Sequence, residues 1–223
     1  MSGVDTSVTG ARGGVGGDNA AADRFRVIFN PATGEHIQFT AVAEDGEDLV
    51  RFNWHSQPGG VIPEHVHPHQ EERFIIATGE GHFVVDGEER VVGAGETIVV
   101  PAGVRHSEAN LGSVEIVGVV ELRPALLARQ FHETFAGLAA DGKTTSRGAP
   151  RNPLQLGATL WYFRHDSRVT SPPTWAQSII LPPLSALAKL FRMRPYYARW
   201  DSRISQANSA GDNQPPTTAR GAA

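Results

Sequence analysis

Between Phe25 and Arg123, apolar and polar positions alternate over short runs, and glycine- or aspartate-containing turns separate the runs. Val50, Phe52 and Trp54 fall on one side of an extended chain, and Arg51, Asn53 and His55 fall on the other. That period of two marks a half-buried strand. ERFIIAT, HFVVD, RVV, TIVV and EIVGVVEL repeat the texture, with TGEG, DGEE, GAGE and NLGS between them. The Asp-Gly pair at 86–87, set between FVV and RVV, is a hairpin signal. Many short, closely spaced strands with such turns predict an antiparallel sandwich or barrel, a mainly β fold.

After Arg123 the period lengthens. Leu127, Phe131, Phe135 and Leu138 recur at helical spacing, Pro124 suits a first helical position, and Gly142 suits a stop. Asn152 followed by Pro153 predicts a second helix over 153–164. SPPTWAQSIILPPLSALAKLF predicts two short helices, each opened by a proline pair. Their apolar faces carry Leu154, Trp161, Trp175, Ile179, Leu187 and Phe191, which are expected to be buried on the barrel or on a partner subunit. The chain thus divides into a tail (1–22), a β domain (23–123), a helical extension packed on it (124–203) and a second tail (204–223). Both tails are polar and rich in small residues, a composition that favours disorder. GGVGG, in the first tail, lacks the preceding strand and following helix that a phosphate loop requires.

Composition narrows the chemistry. Hydrophobic residues make up 40% of the 223 positions, enough for a sizeable core, and the net charge of −4 leaves no basic footprint for nucleic acid. No apolar run approaches the ~18 residues of a membrane span, and the N-terminus has no secretory leader, so a cytoplasmic protein is expected. There is no cysteine. Disulfides, thiolate ligands and a cysteine nucleophile are therefore excluded, and any metal falls to histidine and carboxylate.

The stretch HVHPHQEERF, 65–74, concentrates that chemistry. His65 and His67 point to one side of an extended chain, and Pro68 ends the strand behind them. Glu72 opens the next strand on the same side as Phe74 and Ile76, and His106 follows the Pro101–Gly103 turn. If these strands meet, three imidazoles and a carboxylate converge in an apolar container. Such a mixed set suits one divalent ion: iron, manganese, nickel, zinc or copper. Of the neighbours, His69 reads as a solvated loop residue and Glu71 as the spare carboxylate. His82 reads as a strand histidine, His55 as a surface one, and Arg73 and Arg105 as surface ion-pair partners. Asn110 fixes a turn, and the basic-aromatic run LFRMRPYYARWDSR packs on the barrel.

The spacing resembles the two motifs of the cupin superfamily. Gly59, His65, His67, Glu72 and Gly79 match the first, and Gly95, Pro101, Gly103, His106 and Asn110 match the second. The resemblance covers roughly 23–123 and implies a double-stranded β-helix, a jelly-roll barrel with a metal-binding mouth held by His65, His67, Glu72 and His106. It does not reach the helical extension.

Cupins span many reactions, so fold alone does not name one. The resemblance implies a metal-dependent, dioxygenase-like oxidoreductase acting on a small organic molecule. A cyclase or isomerase of a natural-product pathway, with the metal as Lewis acid, and a non-enzymatic small-molecule sensor are the alternatives. A homodimer is expected. The extension is expected to act as a structural cover rather than to gate the metal mouth.

Overall fold

Alternating burial along β3 (Val50–Ser56) sets the architecture: Val50, Phe52, Trp54 and Ser56 are buried, and Arg51 is exposed between them. The computed structural model describes residues 26–201 apart from Glu44, Asp45 and Glu47; the two expected tails lie outside the described residues. Before β3 come β1 (Ile28–Asn30) and β2 (Glu35–Ala41). After it come β4 (Val61–Val66), β5 (Glu71–Thr78), β6 (Glu80–Val85) and β7 (Glu88–Gly93). Then follow β8 (Thr97–Val100), β9 (Arg105–Ala109) and β10 (Ile116–Arg123).

The strands form two sheets with antiparallel pairings, ordered β1-β2-β3-β10-β5-β8 and β11-β4-β9-β6-β7, where β11 is Arg168–Val169. This is the expected mainly β, double-stranded β-helix. Its core lies between the sheets, where Phe52, Trp54, Phe74, Ile76, Phe83 and Ile116 are each 2% exposed or less. Phe74 sits edge-on to both Trp54 (centroids 5.5 Å) and Phe83 (5.0 Å), tying the sheets together. Burial of each such side chain stabilises the fold by about 1.5–3 kcal/mol. The Asp-Gly hairpin forms as predicted between β6 and β7, with both turn residues in the left-handed region (φ 51° and 85°).

Three helices follow: α1 (Ala128–Ala140), α2 (Pro153–Tyr162) and α3 (Thr174–Leu190). On α1, His132 packs against Phe39 and Phe52, with ring centroids at 6.3 and 5.0 Å. α2 opens as its sequence predicts, Asn152 Oδ1 accepting from the backbone N–H of Leu154 (2.9 Å) and Gln155 (3.2 Å). α3 crosses α2 at Gly157, where a Cβ would stand 2.4 Å from Leu184 Cβ. The close crossing requires a residue without a side chain.

Three expectations are corrected here. Pro124 is not the first residue of a helix; α1 begins at Ala128. Gln70 Nε2 donates to the carbonyls of Pro124 (2.8 Å) and Ala125 (3.2 Å), and Leu126 takes a positive φ of 43°, so the chain turns before the helix can start. The predicted pair of short helices is one helix of 17 residues running through Pro182 and Pro183. The pair removes two backbone donors, yet the helix continues through both, its buried residues Leu181, Ser185 and Ala188 lying on either side of the pair. Finally, Trp175 (70% exposed), Ile179, Leu187 and Phe191 are exposed, not buried on the barrel. α3 turns Gln177, Leu181, Ser185 and Ala188 inward instead.

Candidate metal centre

A bulge in β4 shapes the site. Ile62 lies opposite Glu108 and His65 opposite His106, so three residue steps on β4 match two on β9. Bulges of this kind bend a strand and re-aim its side chains. His65 and His106 come from neighbouring strands of the five-stranded sheet, and His67 follows directly after β4. Glu72 comes from β5 of the six-stranded sheet, between β10 and the edge strand β8. Both sheets therefore bring candidate ligands to one point.

One ligand atom from each of His65, His67, Glu72 and His106 lies within 4.8 Å of all the others. His65 Nε2 is 3.1 Å from His67 Nε2, and Glu72 Oε2 is 2.7 Å from His106 Nε2 and 3.4 Å from His67 Nε2. Every Nδ1 points the other way, onto a backbone carbonyl: Pro63 for His65 (2.8 Å), Asp166 for His67 (2.6 Å) and Val104 for His106 (3.1 Å). With Nδ1–H donated to a carbonyl, the lone pair of each ring sits on Nε2 and faces the common point. Metal-binding imidazoles are oriented in this manner. Three imidazole nitrogens and one carboxylate oxygen, mutually close and with all but His65 buried, fit a divalent transition metal.

At His65 and Glu72 the electrostatics favour the forms that ligate. Burial, with His67 and His106 close by, pushes His65 down to about 3, so its ring stays neutral. Burial would lift the Glu72 carboxyl, but His67 and His106 hold it well below the usual carboxylate range. His67 runs the opposite way: burial would lower it, yet Glu72 and the Asp166 carbonyl raise it above its ordinary value.

The residues read as bystanders fall where their alternation put them. Glu71 points outward and pairs with Arg73 (3.3 Å), His55 faces Glu115 (3.2 Å) and His82 faces Glu80 (3.6 Å). Arg105 is exposed, and exposed His69 stacks on His165 (centroids 5.5 Å). Asn110 fixes its turn, donating to the carbonyls of Ser56 (2.8 Å) and Val114 (2.9 Å).

Other residues were not foreseen. Glu35 is 7% exposed and accepts from Trp54 Nε1 (2.9 Å) and Thr33 Oγ1 (2.6 Å); burial pushes its carboxyl up. Glu108, 2% exposed, is pushed up to about 8 by burial and by Glu35 and Glu72 nearby. Its position two residues after His106 on a strand could have placed it on the inner face. Nothing in the turn sequence before Glu35 carries such a signal, and the Asp166 carbonyl is invisible to a reading of side chains.

A cavity of about 190 Å³ opens onto His65, His67 and Glu72. The barrel supplies one wall, including Phe52, Trp54 and Phe74. The other wall belongs to the extension: Phe131 and Phe135 of α1, Leu156 and Leu160 of α2, and the segment Arg147–Pro150. The extension, expected as a structural cover rather than a gate, lines about half of the chamber in front of the mouth. Phe131 and Phe135 stay only half-buried because they face this space.

Comparison with known proteins agrees with the fold. A family model described as a cupin domain matches residues 52–120. Germin-like protein 3-5 of Oryza sativa subsp. japonica is 39% identical over 123 residues, covering 46% of this chain and 54% of its own. Oxalate oxidase 1 of Hordeum vulgare is 38% identical over 71 residues, 28% of this chain and 35% of its own. This chain therefore spans about half, or less, of the length of these curated relatives. Among solved structures, a conserved protein with a double-stranded β-helix domain from Klebsiella pneumoniae matches at 25% identity and a TM-score of 0.37, over 40% of this chain and 72% of its own. Among the described residues, no helix is long and apolar enough to cross a membrane.

Proposed function

From the premise that this chain belongs to the cupin superfamily, we propose that it is a metal-dependent oxidoreductase that uses dioxygen on a small organic molecule. The observation that carries this reading is the orientation of the three imidazoles, each Nδ1 committed to a carbonyl, with one ligand atom of each and of Glu72 within 4.8 Å of all the others. His65, His67, Glu72 and His106 would hold the ion. Iron, manganese or copper held there would supply the redox and Lewis-acid chemistry that oxidation by dioxygen needs. The likeness to an oxalate oxidase over 71 residues supports oxidation as the reaction class.

The chain's own residues do the rest. Trp54, Phe74, Phe131 and Phe135 exclude water and position the body of the substrate. Glu35, in the cavity wall, has its carboxyl pushed up by burial, and with the Thr33 hydroxyl donating to its Oε2 it is placed to give or take a proton. A homodimer belongs to this reading, supported by the apolar stripe that α3 leaves exposed. Sedimentation at about twice the chain mass of 23.9 kDa would agree with it, and monomeric sedimentation would remove it.

An oxygen electrode tests the main reading. Protein stripped of metal and reloaded with iron or manganese should consume oxygen with a panel of small carboxylic and phenolic substrates, and the His65→Ala, His67→Ala double variant should not. Tight metal binding without oxygen uptake would favour Lewis-acid chemistry at the same site.

A further inference from the structure

Half of the chamber in front of the metal ligands comes from outside the β domain, and its chemistry restricts what can enter. We infer that the ligand of this cavity has a single-ring apolar body with one oxygen-bearing head directed at His65, His67 and Glu72, and is not a small dianion. The inference rests on the metal-site reading and adds the substrate class.

Size comes first. The cavity measures about 190 Å³, and an apolar protein cavity of ~150 Å³ is known to hold benzene, so one ring with a short substituent fits. Shape follows from the walls. Trp54 and Phe74 meet edge-on at 5.5 Å on the barrel side, and Phe131 and Phe135 meet at 4.6 Å on α1. Leu156 and Leu160 close the same side from α2. A flat ring between two aromatic pairs gains edge and face contacts with both. Phe131 and Phe135 are one helical turn apart and half-buried, so their apolar surface toward the cavity is bare until something covers it.

Charge completes the case. A dicarboxylate would place one carboxylate at the metal and need a cation for the second. Among the described residues lining the cavity, the one Lys or Arg is Arg147, which is exposed. Glu35 and Glu64 line it too, and neither is a cation that could neutralise a second carboxylate. His132 cannot turn to help: its Nδ1 is held at 2.7 Å on the Ala128 carbonyl, and its ring packs on Phe52.

The test uses benzoate and oxalate as probes on full-length, metal-loaded protein, with titration calorimetry as the readout and metal content measured in parallel. Benzoate should bind at least tenfold more tightly than oxalate. Phe135→Ala should weaken benzoate about tenfold while leaving metal content and oxalate affinity unchanged. Leu156→Ala, at a second wall position, gives the same comparison if Phe135→Ala does not fold. Oxalate binding as tightly as benzoate, or benzoate affinity indifferent to both wall variants, overturns the inference. Equal benzoate binding with and without metal overturns the metal-directed head. Benzoate binding with the expected pattern but no oxygen uptake on any substrate sinks the oxidoreductase reading and leaves the ligand class standing.

Discussion

Glu108 is a carboxyl that the fold keeps from ionising. It is pushed from 4.5 to about 8 by burial and by its acidic neighbours. Between those values the folded chain binds more protons than the unfolded chain, so stability falls as pH rises through the window. The span corresponds to a loss on the order of 2–4 kcal/mol by pH 8. Glu108→Gln cannot ionise. In chelator-treated protein it should melt near the wild type at pH 5 and roughly 5–10 °C higher at pH 8 by calorimetry. Identical pH dependence in the two proteins would contradict this. Neighbouring Glu71 and Glu72 make the second residue-scale case, because adjacent strand residues face opposite sides. Glu72→Gln should lower metal affinity at least tenfold in a metal titration, and Glu71→Gln, whose side chain is 45% exposed, should leave it unchanged. The clustering of His65, His67, Glu72 and His106 was legible because strand alternation and motif spacing both fix which way a side chain points. Glu35 and the Asp166 carbonyl were not, because their roles depend on which loops meet in space.

At the scale of elements, strands were read more surely than helices. A period of two with Asp-Gly turns has few competing interpretations, so β3, β5 and the β6–β7 hairpin stand where the sequence put them. The helices went wrong where packing overrode local signals. Pro182 and Pro183 look like a break, yet α3 continues through them while Leu181, Ser185 and Ala188 hold its inner face. That inner face depends on Gly157. Gly157→Ala would force its Cβ against Leu184 and should cost about 1–3 kcal/mol in a urea melt, despite alanine's better helix propensity. An unchanged midpoint would mean that the two helices separate without penalty.

For the whole molecule, composition excluded thiolate chemistry, and the motif pair located the barrel. No pattern in the sequence announced that the extension would wall the metal chamber, since Phe131 and Phe135 look like any helical core face. Truncation after Arg123 removes α1 from Phe39 and Phe52, β11 from the edge of β4, and one wall of the cavity. Re-exposing these surfaces costs several kcal/mol. The truncated chain should aggregate on size exclusion or melt at least 10 °C lower, and a soluble product with full metal content and unchanged melting temperature would refute the dependence.

The bond from His67 Nδ1 to the Asp166 carbonyl has a thermodynamic corollary. It joins a ligand of the barrel to the loop between α2 and β11 across 99 positions of sequence. If that bond favours the form of His67 that accepts metal, binding at the site must by reciprocity favour the docked form of the loop by the same factor. Metal occupancy and order in residues 163–169 then become two readings of one equilibrium. Amide hydrogen exchange at Ser167 and Arg168 should slow when metal is added, although neither residue touches the ion.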